Sequence, residues 1–140
     1  MDVIKLVNEY RALERELQLI NPRMEDLVRG ESGVLLSLSK CKDGKLSGEL
    51  GEALQLSSGR MSSILKSLEN KKMIIRSYDL EDKRNVRVRL TKQGKQQAEQ
   101  IDNSNRETII LLLEKLGEKD ANELIRLNKR KIEILKENKK

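Results

Sequence analysis

Several residue types that carry chemistry are scarce in this 140-residue sequence: histidine, phenylalanine and tryptophan are absent, and cysteine and proline occur once each. A lone cysteine excludes an internal disulfide, so nothing favours secretion. Without histidine a transition-metal site lacks its commonest ligand, and we predict neither a metal nor a cofactor. Two tyrosines cannot form the aromatic platforms on which readers of RNA and single-stranded DNA stack bases, which disfavours that class.

Long apolar runs are also missing. The longest, from Ile109 to Leu113, is far shorter than the segment needed to span a membrane. The N-terminus has no uninterrupted apolar core of the kind found in signal peptides. We therefore expect a cytoplasmic protein with no membrane partner, long enough for one domain with a real core.

The sequence shows none of the constellations that enzymes use. It has no nucleophile motif, no glycine-rich phosphate loop and no paired carboxylates in an apolar setting. Glu49 and Glu52 lie three residues apart, but they suit the N-terminal turns of a helix better than acid–base catalysis. We predict that the protein is not an enzyme.

Positive charge is concentrated in the middle of the chain. Residues 40–100 contain 14 lysines and arginines against 8 aspartates and glutamates, an excess equal to the net charge of +6 of the whole chain. The two signs balance in the remaining residues. A basic excess confined to one segment is typical of nucleic-acid binding.

The basic segment has the element order of a helix-turn-helix followed by a wing. The pattern predicts one helix at 47–54, a turn at 55–56 and a second helix at 57–70, capped by Ser57. The apolar period then changes from helical spacing to alternation at 86–90, and residues 73–78 supply a partner strand. We predict a mainly α fold with a two-stranded β wing, an arrangement suited to duplex DNA.

Amphipathic helices are predicted at both ends of the chain. The side chains assigned to their apolar faces are Val3, Leu6, Tyr10, Leu13, Leu17, Ile109, Leu112, Leu113, Leu116 and Leu127. The first helix could pack on its own domain or on another chain, and we favour another chain because a small domain needs few such helices. The block at 109–113 is apolar nearly all round and must be covered on several sides. We predict a homodimer built from the terminal helices.

The second helix of the motif should expose a polar face. With its apolar positions 61, 64, 65 and 68 turned inward, at roughly 100° per residue, hydroxyl and cationic side chains point outward. The predicted DNA contacts on this helix are Ser58, Arg60, Ser62, Ser63 and Lys66. Arg60 is the predicted reader of guanine, because its fork matches the O6 and N7 acceptors. The alternative is an ordinary solvated face, but a serine-rich and glutamate-poor face favours DNA.

The hairpin should carry further contacts at its tip. Lys83 and Arg84 can reach a minor groove or the phosphates beside it. An unpaired Asp82 would repel DNA, so we interpret it as holding Arg84 or a nearby arginine in place. Arg87 points outward from its strand and is a phosphate contact or a surface charge. A solvated, charge-rich turn is the alternative for the tip.

Several short motifs follow one another along residues 46–94. They are Leu46-Ser47, Ser57 through Leu68-Glu69-Asn70-Lys71-Lys72-Met73-Ile74, Arg76, Asp82-x-Arg84, and Val88-x-Leu90-Thr91-x-x-Gly94. In this order they resemble the MarR family of bacterial winged-helix regulators. The resemblance covers the central half of the chain in motif detail and the ends in layout. Lys72 departs from it, since the family often has a glycine where the recognition helix ends.

The resemblance implies one MarR-like domain over residues 1–140, with a winged-helix part at about 31–95 and dimerisation helices at 1–30 and 96–140. It implies a homodimer that binds double-stranded DNA at a pseudo-palindromic operator, usually as a repressor. Carried over to matching positions, the family's DNA contacts are Ser57, Ser58, Arg60, Ser63, Asp82 and Arg84.

Other roles stay open. Family members release DNA when a small molecule, metal or oxidant changes the spacing of the two reading heads, but the sequence does not identify an inducer. Cys41 lies between two lysines and is interpreted as incidental. A non-specific architectural DNA binder would need no base reader such as Arg60. A winged helix that binds another protein would need neither the basic excess nor cations at the wing tip.

Overall fold

A computed structural model describes residues 1–78 and 86–139 of the chain. The chain divides into two compact units, Met1–Ile101 and Asp102–Lys140. The assignment of residues 1–140 to one domain, with its winged-helix part at about 31–95, stays a prediction.

The described residues form helices and strands in the order of a winged helix-turn-helix. These elements are α1 (Val3–Ile20), α2 (Met24–Arg29), α3 (Glu31–Ser39), β1 (Lys45–Leu46), α4 (Ser47–Leu54), α5 (Ser58–Asn70), β2 (Ile74–Tyr78), β3 (Val86–Leu90), α6 (Lys92–Leu116) and α7 (Glu118–Glu137). The predicted mainly α fold is confirmed.

Local sequence explains where the terminal helices begin and end. Asp2 caps α1 by accepting a hydrogen bond of 3.1 Å from the amide of Lys5. The helix stops before Pro22, which lacks an amide donor and restrains Asn21. Gly117 separates α6 from α7 with a φ of +85°, in the left-handed region that favours glycine.

The core lies in the first unit, among α3, α4, α5 and the sheet. Its buried side chains are Val34, Leu35, Leu38, Leu50, Met61, Ile64, Leu65, Leu68, Ile74, Val88 and Ala98. The four that α5 contributes follow the i, i+3, i+4, i+7 spacing of one helix face. Burial of that face directs the opposite face of α5 to solvent.

The sheet has three antiparallel strands in the order β1-β3-β2. The predicted hairpin is formed by β2 and β3, in register from the Ile74–Leu90 pair to the Tyr78–Val86 pair. The two-residue strand β1 pairs with β3 on its other side. The sequence prediction of a two-stranded wing missed β1, because two residues are too few to show an alternating pattern.

Candidate nucleic-acid interface

The helix α5 begins at a tight turn and a side-chain cap. Gln55 ends α4 in the left-handed conformation, with a φ of 54°, and so redirects the chain. The Ser57 hydroxyl oxygen then accepts a hydrogen bond of 3.2 Å from the amide of Arg60, which confirms the predicted cap. Because that oxygen acts only as an acceptor in the cap, its O–H is left to donate to another group.

The predicted reading side chains of α5 all lie at the surface. Ser57, Ser58, Arg60, Ser62, Ser63 and Lys66 are exposed. Helix geometry places Ser63 and Lys66 near the centre of the outward face and Arg60 on one of its flanks. Ser58 and Ser62 occupy the other flank, where they line an open groove of about 410 Å³ together with Arg76 of the sheet.

The N-terminal half of α5 is free of acidic side chains. Its first turn contains no aspartate or glutamate, and the first acid along the helix is Glu69. Within the described part of the chain, neither the Arg60 guanidinium nor the Lys66 ammonium has an ion-pair partner. Arg60 lies in the first turn of α5, so its positive charge adds to the partial positive charge that any helix carries at its N-terminus.

The C-terminal half of α5 is different, because two carboxylates there are paired with cations. Glu69 accepts hydrogen bonds from both Nε and Nη2 of Arg76, at 3.2 and 2.9 Å. These bonds lower the pKa of Glu69 and raise the pKa of Arg76. Glu31 of α3 accepts a bond of 2.8 Å from Nζ of Lys71. Burial acts to raise the pKa of Glu31, but hydrogen bonds from Lys71 and Ser67 outweigh it, and the pKa is lowered.

Sequence reasoning missed both ion pairs. Glu69 and Arg76 are 7 residues apart across the turn from helix to strand, and Glu31 and Lys71 are 40 residues apart. A periodic pattern within one element cannot reveal a partner on another element. The only available signal was the presence of Glu69 and Arg76 in the motifs that carry the MarR resemblance.

The end of α5 has an unusual backbone conformation at Lys72. Its φ is +62°, in the left-handed region where a glycine costs least. This is the position at which the sequence departs from the glycine common in the MarR family. The turn therefore forms with lysine, because the amide of Met73 still reaches the Leu68 carbonyl at 3.0 Å and closes the helix end.

Of the four DNA contacts predicted on the wing, only Arg87 lies among the residues that the structure describes. Asp82, Lys83 and Arg84 lie outside the described residues. Arg87 is half-buried, and its Nη1 donates a hydrogen bond of 3.3 Å to the backbone carbonyl of Asp43. The structure thus places Arg87 against the loop before β1, a partner that strand alternation could not indicate.

The side chains assigned to a dimer interface are largely uncovered within the chain. Val3, Leu6, Tyr10, Leu13, Leu17, Ile109, Leu112, Leu116 and Leu127 are exposed, and Leu113 is half-buried. Neither α1 nor α7 buries any residue, although they contain 18 and 20 residues. Each helix therefore presents an exposed apolar face in the described structure.

Cys41 is half-buried in the turn after α3, and its amide donates to the Leu38 carbonyl at 3.1 Å. Across residues 1–78 and 86–139 there is no group of three or more metal-binding side chains. None of the helices in these same ranges combines the length and apolarity of a membrane span.

Known proteins share both the sequence pattern and the fold described above. Residues 18–101 match the family described as transcriptional regulator SarA/Rot, and this segment is more than half of the chain. The chain belongs to the SarA/Rot family of transcriptional regulators. The prediction of a transcriptional regulator is thereby confirmed.

Individual SarA/Rot relatives match over a shorter segment. The HTH-type transcriptional regulator SarZ of Staphylococcus aureus (strain USA300) is 37% identical over 65 residues, which are 46% of this chain and 44% of SarZ. The chain therefore spans less than half the length of the curated relatives that it matches.

Solved structures match over nearly the whole chain. The S. aureus MepR–DNA complex superposes with a TM-score of 0.66 at 25% identity, over 90% of this chain and 94% of that one. FabT of Streptococcus pneumoniae, solved in complex with DNA, gives a TM-score of 0.72 at 17% identity over 96% and 98% of the two chains. At 17% identity, the similarity to FabT shows a shared fold only. The resemblance to MarR winged-helix regulators is confirmed.

Proposed function

We propose that this SarA/Rot family member binds double-stranded DNA sequence-specifically, as a homodimer on a pseudo-palindromic operator. The observation that carries the proposal is the exposed face of α5 from Ser58 to Lys66. It presents hydroxyl groups together with Arg60 and Lys66, and it contains no acid. A surface of this kind matches phosphates and the acceptor-rich edge of guanine.

The dimensions of the interface support a major-groove contact. The major groove of B-DNA admits one α-helix, and the side of α5 opposite its four buried residues is exposed in the described part of the chain. Gly59 lies on this exposed side, and no atom lies within 4 Å of the position that a Cβ would occupy there. The backbone of α5 can therefore approach DNA closely at this point.

The related structures add support from a different direction. MepR of S. aureus and FabT of S. pneumoniae were both solved bound to DNA. The shared fold supports the assignment of α5 as the recognition helix. We therefore assign Arg60 to base reading, and Ser58, Ser62 and Lys66 to phosphate or adaptable contacts.

The homodimer part of the proposal rests on the terminal helices. A monomer seldom leaves the large apolar side chains of long helices exposed, as they are along α1 and α7. A second copy of the chain brings an identical apolar surface, and a two-fold dimer would present two α5 helices to two half-sites. A small-molecule inducer, which the MarR resemblance implies, stays a prediction without an assigned site.

The proposal is tested by selecting duplexes from a random library near physiological salt and sequencing the bound fraction. An enriched inverted repeat with half-sites about one helical turn apart is the expected result. Retention without enrichment would indicate an architectural binder held by phosphates. Failure to retain any duplex would favour the protein-binding alternative. In vitro transcription from a promoter that contains the selected site tests the repressor role, for which the transcript yield should fall.

A single substitution then locates the base reader. Arg60→Ala should relax the preference at one position of each half-site and weaken operator binding by about 1–3 kcal/mol. Arg106→Ala is the matched control, because Arg106 is an exposed arginine of α6 that is also without an ion-pair partner in the described structure. An unchanged preference in Arg60→Ala would show that the assigned reading face is wrong.

A further inference from the structure

The turn that begins α6 is fastened to the end of α5. Two consecutive carbonyls after α5 accept hydrogen bonds from it: Lys72 O from the Thr91 hydroxyl at 2.7 Å, and Met73 O from the Thr91 amide at 3.0 Å. The backbone at Gly94 also lies directly against the Met73 carbonyl, so that a Cβ at position 94 would overlap with it. These contacts form a clamp, consisting of residues 72–73 and 91–94.

The Thr91 hydroxyl has two partners in this clamp. Its oxygen accepts a hydrogen bond of 3.0 Å from the amide of Gly94 and so caps α6. Its proton is donated to Lys72 O, which the left-handed backbone at Lys72 orients toward Thr91. One short side chain therefore joins the last turn of one helix to the first turn of another.

The clamp differs from the ion pairs that also hold this end of α5. Those pairs join long side chains that are partly exposed, as for Lys71 with Glu31 at 52% and 31% exposure. Long exposed side chains can follow a moving helix without breaking contact, and such pairs contribute little free energy. A hydroxyl bonded directly to a backbone carbonyl permits much less movement.

Because the clamp lies at the C-terminal end of α5, a small rotation there displaces the DNA-reading side chains near the other end of the helix. Arg60 lies 12 residues before Lys72, which corresponds to roughly 18 Å along α5. A rotation of α5 by about 5° about the clamp would move Arg60 by about 1.5 Å along the groove, enough to misalign a bidentate contact with guanine. On its other side, α6 continues from the clamp to Leu116, beyond the end of the first unit at Ile101.

From this geometry we infer that Thr91 is a positioning residue for DNA reading: its bond to Lys72 O makes the orientation of α5 follow the orientation of α6. The inference rests on the proposed function, because it concerns how the same surface meets its operator. Thr91 contacts no DNA in this scheme, and it acts through the placement of Arg60 and its neighbours.

Three substitutions separate the roles of the hydroxyl. Thr91→Ser keeps both the cap and the bond to Lys72 O. Thr91→Val removes both. Thr91→Asp keeps an acceptor for the cap but cannot donate to Lys72 O. Ser39→Ala is the matched control, because the Ser39 hydroxyl also donates a bond of 2.7 Å to a backbone carbonyl, that of Leu36, but within its own helix α3.

The measured quantity is the ratio of the affinity for the selected operator to the affinity for a scrambled duplex, at one salt concentration. Urea unfolding of each variant checks that it is folded. We expect the ratio to fall about tenfold in Thr91→Val and Thr91→Asp and to stay unchanged in Thr91→Ser and Ser39→Ala. The affinity of Thr91→Val for scrambled DNA, and its salt dependence, should equal those of the unmodified protein because no phosphate contact is removed. Thr91→Asp, which keeps the cap, serves if Thr91→Val does not fold.

Several outcomes would overturn the inference. An undiminished ratio in Thr91→Val would show that the bond does not position α5. A normal ratio in Thr91→Asp beside a reduced one in Thr91→Val would assign the effect to the cap. An equal loss in Ser39→Ala would indicate general loosening. If the unmodified protein itself did not prefer the operator to scrambled DNA, the proposed function would fail and the inference with it. If every variant kept the preference for the operator, the inference alone would be overturned.

Discussion

Gly59→Ala should make the fold more stable and DNA binding weaker. Gly59 is the second residue of α5, has ordinary helical backbone angles, and has no atom within 4 Å of the position of an added Cβ. Alanine loses less conformational entropy than glycine when a helix forms, so the substitution should raise the free energy of unfolding by about 0.5–1 kcal/mol. The added methyl group, however, lies on the face that we assign to the major groove.

Gly48→Ala provides the matched control for helix propensity. Gly48 is the second residue of α4, and the space around it is equally open, with no atom within 4 Å of an added Cβ. Both substitutions should raise the urea midpoint, by about 0.3–0.5 M for a slope of about 2 kcal/mol per M. The variants are compared at one protein concentration, because the unfolding of a dimer depends on it.

The two variants should separate in a DNA-binding assay. A methyl group forced into a close contact costs about 1–3 kcal/mol, so Gly59→Ala should weaken operator binding roughly tenfold, while Gly48→Ala should stay close to the unmodified protein. A Gly59→Ala variant that is more stable and binds the operator with full affinity would refute the reasoning. It would mean that the backbone of α5 does not approach DNA at this residue.

Two further predictions concern the backbone and the assembly. Lys72→Gly should raise the free energy of unfolding by about 0.5–1 kcal/mol, because glycine adopts the positive φ of this position without steric cost, and Lys71→Gly, at a φ of −80°, should lower it in the same urea titration. Leu13→Glu should convert the proposed dimer to monomers in sedimentation equilibrium. Leu19→Glu, at another exposed position but off the predicted apolar seam of α1, should leave the proposed dimer intact. If neither substitution caused dissociation, the assignment of that seam would be contradicted.

Elements with a clear period could be predicted from the sequence. The apolar spacing of α5 identified both its buried face and, by subtraction, its exposed one, and Ser57 marked its first turn. The alternation at 86–90 identified a strand of the wing. These features depend on a few neighbouring residues and on geometry that every helix or strand shares. For the same reason the exposed seam of α1 could be recognised without knowing what covers it.

Features that join different elements could not be predicted in this way. The bonds of Arg76 to Glu69 and of Arg87 to the Asp43 carbonyl depend on how the sheet lies against its neighbours. The donation from Thr91 to Lys72 O depends on the left-handed backbone conformation of Lys72. The sequence does not indicate this conformation, because lysine rarely adopts a positive φ. Only the three-dimensional arrangement shows that Arg76 and Thr91 hold α5 at its C-terminal end.

The distribution of charge along α5 follows from this arrangement. The pairing of Glu69 with Arg76 and of Glu31 with Lys71 lowers the pKa of both carboxyl groups, so they are ionised at neutral pH and neutralised by their partners. Neither carboxylate is then left to offset the charges of Arg60 and Lys66, which have no ion-pair partner among the described residues. Arg60 also lies in the first turn of α5, at the positive end of the helix dipole. The helix is thus held at the end where Glu69 is neutralised, and it is open at the end where its charge attracts phosphate.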